Sequence, residues 1–319
     1  MASSQNIGIY INNFDTQCPN QETLAQLTGY ASDIGSAGYT TGIFWAMHLN
    51  AYGDFIYNGG YPEPMISKGK LQPGFSYLPG LCSALKSGGN INKLYFSVGG
   101  WSCECDFVFM MDLISKYGTG SANPLYQNFQ ALKSELGIVG IDIDLEAKSS
   151  SSCYSHHYDY YTDLLVKLAG MLNSLGMEMT LCPYMDRDFW LECLSRIYVA
   201  NNKKQVVTGI NLQCYAGGAH NTQQQWVDHI TQSSLPLGIT NAATFVNAGY
   251  STLTTDGAPN NGAPSLIQSN FANKNIPAAQ MAAGSVSGWI WNEGQIVSSG
   301  SLGTAKEYAQ AIINGLNQL

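Results

Sequence analysis

The chain has 319 residues, of which 45% are hydrophobic and only 11% charged. That is enough apolar sequence for a large core, and it excludes an intrinsically disordered chain. A net charge of −8, with 14 Lys and Arg residues and no basic cluster, excludes an electrostatic footprint for nucleic acid or an anionic membrane surface; a neutral polar ligand is expected.

Short β-rich runs alternate with longer amphipathic runs from end to end, the pattern of parallel strands joined by helices. Strands are predicted at 7–12, 42–47, 93–98, 138–145, 178–182, 209–214, 235–240 and 288–291. Asn123 and Pro124 open a helix whose apolar residues Leu125, Phe129, Leu132 and Leu136 follow the 3.6-residue period, and Gly137 closes it. A second helix spans 157–175, with Tyr161, Leu164, Leu165, Leu168, Leu172 and Leu175 on one stripe. The last helix begins at Thr304, which has Glu307 at capping-box spacing. The tracts 51–77 and 252–264, rich in Gly, Pro, Asn and Asp, read as loop insertions at the barrel mouth. Eight strand–helix units predict an α/β fold, a single (β/α)8 TIM barrel over 1–319. An open doubly wound sheet is the structural alternative, but it leaves the later strands without a switch point. The interval 243–287 must also supply the seventh barrel helix, near 265–273, so no large α+β insertion subdomain is expected.

No apolar run reaches membrane-spanning length, and MASSQNIGIY lacks a basic segment followed by an apolar one, so no membrane association is expected. The eight cysteines include no CxxC pair at zinc spacing; Cys103 and Cys105 are the one close pair. His156 and His157, adjacent at a helix start, face opposite ways and read as solvated rather than metal-binding.

The segment GIVGIDIDLEA (137–147) places Asp142, Asp144 and Glu146 at strict alternation within a strand, so all three carboxylates share one face. Residues two apart on a strand are separated by roughly 6.6 Å. A single cation needs its ligand oxygens within about 2.0–2.6 Å, so the three cannot converge on one metal ion, and none is expected. Neighbouring carboxylates at that spacing repel by about 2.5 kcal/mol at an effective dielectric near 20. Such crowding raises the proton affinity of members of the set, as a general acid near neutral pH requires. Glu146 stands nearest the C-terminal mouth, where barrel sites form.

GIDIDLE resembles the DGxDxDxE strand signature of the family 18 glycoside hydrolases, the chitinases and endo-β-N-acetylglucosaminidases. SVGG (97–100) resembles that family's third-strand SxGG, MTLCP (179–183) its fifth strand, LQCY (212–215) the Gln-x-Tyr of its sixth, and GWIW (288–291) its last. Two positions depart from the pattern. Val139 stands where the family has its first Asp, and Ala216 follows the sixth-strand Tyr where Asp or Asn is common.

The resemblance implies substrate-assisted, retaining cleavage of β-1,4 bonds at N-acetylglucosamine. Glu146 would protonate the glycosidic oxygen, Asp144 would orient the substrate's acetamido group, Asp142 would trade a proton or hydrogen bond with Asp144, and Tyr215 would hold the acetamido oxygen. Gln213, Trp291, Trp289, Ser97, Gly99, Tyr10 and Trp101 are the candidate substrate-binding residues, and Trp45 is a further aromatic of cleft or core. An endo-acting chitinase without cofactor or metal is expected, a monomer, secreted or extracellular, binding chitin or another N-acetylglucosamine-containing glycan. An endo-β-N-acetylglucosaminidase acting on N-glycans and a non-catalytic chitinase-like lectin or inhibitor are the alternatives.

Overall fold

The computed structural model describes residues 6–12, 14–58, 63–101, 103, 105–146, 158–253, 262–272, 288–292 and 302–317. The strands are β1 (Ile7–Ile11), β2 (Thr41–Leu49), β3 (Phe55–Tyr57), β4 (Ile66–Ser67), β5 (Lys70–Leu71), β6 (Lys93–Gly99), β7 (Gly140–Asp144), β8 (Glu178–Leu181), β9 (Val207–Gln213), β10 (Val246–Ser251) and β11 (Gly288–Asn292). Eight of them follow the order β1-β11-β10-β9-β8-β7-β6-β2, and β1 also pairs with β2, which closes the circle. Every pairing around the circle is parallel. The result is a (β/α)8 TIM barrel.

The helices around it are α1 (Gln21–Ser36), α2 (Leu78–Ser87), α3 (Cys105–Tyr117), α4 (Pro124–Leu136), α5 (Tyr158–Ser174), α6 (Arg187–Ala200), α7 (Gln223–Gln232), α8 (Ala242–Phe245), α9 (Pro264–Ala272) and α10 (Ala305–Asn317). Their ends carry the chemistry read from the sequence. The Asn123 side chain accepts the Leu125 N–H at 2.8 Å, and Gly137 closes α4 in the left-handed region at φ 65. Ahead of α10, Thr304 Oγ1 accepts the Glu307 N–H at 3.2 Å, and Glu307 Oε2 accepts the Thr304 N–H at 2.7 Å.

Two expectations need correction. The seventh barrel strand is β10 (Val246–Ser251), not 235–240. In the latter segment Gly238 takes φ 69, and a Cβ there would lie 2.3 Å from the Tyr198 ring, so this apolar run turns against α6. The tract 51–77 is not simply a loop: it contains β3, β4 and β5, which extend the sheet antiparallel from β2. Among the described residues of 243–287, α8, β10 and α9 are barrel elements. The paired histidines His156 and His157, and most of 252–264, lie outside the described residues.

Strand alternation divides the interior in two. Ile7, Ile9, Ile11, Ile141, Ile143, Ile210 and Leu212 face outward into one continuous apolar layer with the helices, each worth about 1.5–3 kcal/mol of burial. The inward residues form a separate aromatic cluster of Tyr10, Ile43, Tyr95, Cys182, Tyr215, Trp289 and Trp291. Ser97, Asp142, Thr180, Asn211 and Asn247 are buried on the same inward side. At the N-terminal end of the barrel, Lys93 Nζ and Glu178 form an ion pair at 2.8 Å.

Candidate active site

β7 carries Asp142 and Asp144 into the barrel, 0% and 5% exposed, and Glu146 follows just beyond the strand end, half-buried. Asp142 is surrounded by donors. Tyr10 Oη and Ser97 Oγ donate to its Oδ2 at 2.7 and 3.0 Å, while Thr180 Oγ1 and Asn211 Nδ2 donate to its Oδ1 at 2.6 and 2.9 Å. These four donors come from β1, β6, β8 and β9, so the closed barrel is what solvates this carboxylate.

Asp144 is placed differently. Gln213 Nε2 donates to its Oδ1 at 3.0 Å and reaches Glu146 Oε1 at 3.4 Å, and Trp45 Nε1 lies 3.4 Å from its Oδ2. Burial pushes the Asp144 carboxyl well above the usual range, and the charges of Glu146 and Asp142 add to the push. Burial also raises Asp142, but its four donors all oppose the rise. Proton affinity is therefore raised further at Asp144 than at Asp142, whose four donors favour its charged form. Burial, with the Asp142 charge next, pushes the Tyr10 phenol well above its usual range, so Tyr10 remains a donor.

The SVGG turn makes this register possible. Gly99 and Gly100 take φ 102 and 104, the Gly100 N–H donates to the Asp144 carbonyl at 2.8 Å, and a Cβ on Gly99 would lie 2.3 Å from that oxygen. Above the acids opens a cavity of about 470 Å³ whose carboxylates are Asp144 and Glu146 and whose walls include Trp45, Trp101, Tyr184, Tyr215 and Trp291. Trp45 and Trp291 meet edge to face, with centroids 4.9 Å apart. A second cavity of about 280 Å³ lies at the opposite end, near Gly8, Lys93 and Thr208; no carboxylate among the described residues lines it.

Comparison places this architecture. No family model matches the sequence, and no curated protein matches it. Among solved structures, a family 18 (GH18) chitinase from Pseudoalteromonas aurantia superposes with a TM-score of 0.61 at 14% identity, over 98% of this chain and 100% of that one. The barrel has the fold of the family 18 chitinases. The Group IV chitinase of Ostrinia furnacalis superposes at a TM-score of 0.57 and 12% identity, over 98% of this chain and 100% of its own. A mutant plant class V chitinase from Cycas revoluta, solved in complex with (GlcNAc)3, also gives 0.57, at 10% identity and 98% coverage of both chains.

Within this chitinase-type barrel, Glu146, Asp144, Tyr215, Gln213, Trp291, Tyr10 and Trp101 come together on the cavity wall. Asp142 and Ser97 lie beneath it, bonded to each other. Gly99 shapes the backbone rather than the wall. Trp289 is 2% exposed under the floor, tilted against Tyr10 with centroids 4.2 Å apart, and its Nε1 donates to the Asn247 carbonyl. The sequence reading missed Thr180, Asn211 and Tyr184. Thr180 and Asn211 sit on the inward period of strands already identified, Asn211 two residues before Gln213, so the alternation rule would have found them. Tyr184 lies past the end of β8, where no period applies. Among the described residues, no helix is long and apolar enough to cross a membrane.

Proposed function

We propose that this chain, as a single catalytic barrel over 1–319, is a glycoside hydrolase that cleaves β-1,4 bonds at N-acetylglucosamine with retention, as an endo-acting chitinase. The observation that carries the reading is that Asp144 and Glu146, the two carboxyl groups on the wall of an aromatic cavity, converge on one donor, Gln213 Nε2, at 3.0 and 3.4 Å. Glycosidases that use a protein acid and a protein nucleophile separate them by about 5–5.5 Å, and inverting enzymes by about 6.5–9.5 Å. Two carboxyls that share one amide donor lie on the same side of the cleft and cannot flank a sugar from both sides. The nucleophile then has to come from the substrate, and the 2-acetamido oxygen is the group positioned to attack the anomeric carbon.

In this mechanism Glu146, the more exposed member, gives its proton to the departing glycosidic oxygen. Asp144 turns its carboxylate to the acetamide N–H and steadies the positive charge that develops on the oxazolinium-type intermediate. Asp142, held by its four donors, keeps a fixed negative charge beneath Asp144 and so supports that cation from below. Tyr215 holds the acetamido oxygen, Gln213 keeps Asp144 in place, and Trp291 offers a flat apolar face to the sugar ring. Glu146 later takes a proton from the water that opens the intermediate.

The absence of extra elements among the described residues of 243–287 supports an open groove able to admit the middle of a polymer. The protein is expected to work as a secreted monomer. The test offers chitin oligosaccharides, a high-mannose glycoprotein and a cellulose oligomer in parallel. Internal cleavage of the chitin oligosaccharides alone is expected. Cleavage of the glycoprotein alone would reassign the substrate to N-glycans, binding without cleavage would make the protein a lectin, and efficient cleavage of cellulose would remove the substrate-assisted mechanism. Products that are almost wholly disaccharide from one chain end would refute endo-action.

A further inference from the structure

A second cluster of reactive side chains lies beside the cleft, and the reaction above does not use it. His48 is near the end of β2, Cys103 lies just beyond the Gly99–Gly100 turn, and Asp106 is in the first turn of α3. His48 Nδ1 and Asp106 Oδ2 are 2.9 Å apart, and one donor atom from each of the three residues lies within 4.8 Å of the other two. The second oxygen of Asp106 accepts the Leu49 N–H at 2.9 Å, which fixes the carboxylate's orientation. Asp106 is 5% exposed, whereas His48 and Cys103 are only partly buried, so an ion has a route in.

An imidazole–carboxylate pair alone would be an ordinary structural clamp. The third member changes the reading. Cys103 is a free thiol, although Cys105, two residues along, is held in a disulfide. We propose that His48, Cys103 and Asp106 form a zinc site with its fourth position open to water.

The geometry suits that ion. Tetrahedral zinc, with Zn–N and Zn–O near 2.0–2.2 Å, sets nitrogen and oxygen about 3.3 Å apart and nitrogen and sulfur about 3.5 Å apart. The His48–Asp106 pair therefore needs to open by only about 0.4 Å, with the ion replacing the proton between them, and Cys103 Sγ, within 4.8 Å of both, has to settle at about 3.5 Å. One thiolate, one imidazole and one carboxylate are a borderline-soft set that suits zinc and disfavours calcium or magnesium. The Leu49 N–H acts as the outer-shell partner that orients a ligating carboxylate.

Two of the ligands sit on regular elements, and the third is in the segment that presents Trp101, 68% exposed, to the cleft. Cys103 N–H donates to the Gly100 carbonyl at 3.2 Å, so the turn is compact. Zinc would tie the Trp101 wall to β2 and α3. The site itself stands whether or not the hydrolase reading holds.

The test titrates the chelator-stripped, full-length chain with zinc by calorimetry and with cobalt(II) by absorption, without thiol reductant so that the Cys105 disulfide stays intact. One ion per chain is expected, with a thiolate-to-cobalt band in the near ultraviolet. Cys103→Ser should abolish the band and weaken zinc binding by roughly 100-fold or more, and Cys18→Ser, at an exposed thiol outside the cluster, should change neither. Zinc should also slow alkylation of Cys103 in the unaltered chain, a readout independent of whether any variant folds. No binding at micromolar zinc, unprotected Cys103, or a band that survives Cys103→Ser would each overturn the site.

Discussion

Tyr10→Phe isolates one of the four donors that hold the buried charge of Asp142. The substitution keeps the ring against Trp289, at 4.2 Å between centroids, and removes only the Oη that donates to Asp142 Oδ2 at 2.7 Å. A hydrogen bond to a charged group contributes about 1.5–3 kcal/mol. At about 1.4 kcal/mol per factor of ten, the variant's unfolding equilibrium should shift by roughly 10- to 150-fold near neutral pH. The effect must also depend on pH. Burial raises the folded-state proton affinity of Asp142 against the pull of its donors, and deleting a donor raises it further. Between the unfolded carboxyl value of about 3.9 and the higher folded value, the folded chain binds a proton that the unfolded chain does not. Stability therefore falls as pH rises through that window, and in the variant the fall continues to higher pH. Urea melts of both proteins at a series of pH values should show a gap that widens from acid to neutral. A gap that stays constant with pH, or remains below ~0.5 kcal/mol near neutrality, would mean that Asp142 is not the charged member of the triad.

Glu146→Gln should cut hydrolysis by about 10²–10⁴-fold, the usual contribution of a general acid, while oligosaccharide affinity stays within a few-fold; turnover close to the unaltered rate would remove Glu146 from its role. For Asp144, burial followed by the charges of Glu146 and Asp142 raises the folded-state proton affinity, so its stability cost grows as pH rises above the ordinary carboxyl value. Asp144→Asn should thus melt higher than the parent near neutral pH and yet turn over slowly, and Tyr215→Phe should lose less activity than Asp144→Asn; a lower melting temperature for the Asn variant would contradict the buried-charge argument. Ala216 sits at φ 45, a left-handed conformation that costs an ordinary residue roughly 1–2 kcal/mol and that Asn tolerates better. Ala216→Asn should raise stability by ~1 kcal/mol, read by thermal melting, and no gain would mean that the backbone relaxes at this turn.

The local sequence was sufficient for whatever depends on chain period and end chemistry. Two-residue alternation put Asp142, Asp144 and Glu146 on one face and the isoleucines on the other. Asn123, Gly137, Thr304 and Glu307 marked helix ends because a cap involves only residues three or four apart. Alternating strand and helix patterns were enough for the barrel, since closure is the simplest way to bury eight such units. Strand seven lay beyond that reach. Its residues VNAGYS look weakly β-forming, and Gly249 is there because a Cβ would overlap the Trp289 ring of the next strand at 1.9 Å, a packing demand 40 positions away in sequence. The division of labour among the acids is tertiary for the same reason. Sequence spacing separates the three carboxylates only by depth, with Glu146 nearest the mouth. Only the closed barrel brings Tyr10, Ser97, Thr180 and Asn211 onto Asp142, leaves Asp144 with Gln213, Trp45 and its acidic neighbour, and so sets their proton affinities apart. His48 likewise carries no spacing signal towards Cys103 and Asp106, because their meeting depends on how β2 and β6 lie side by side.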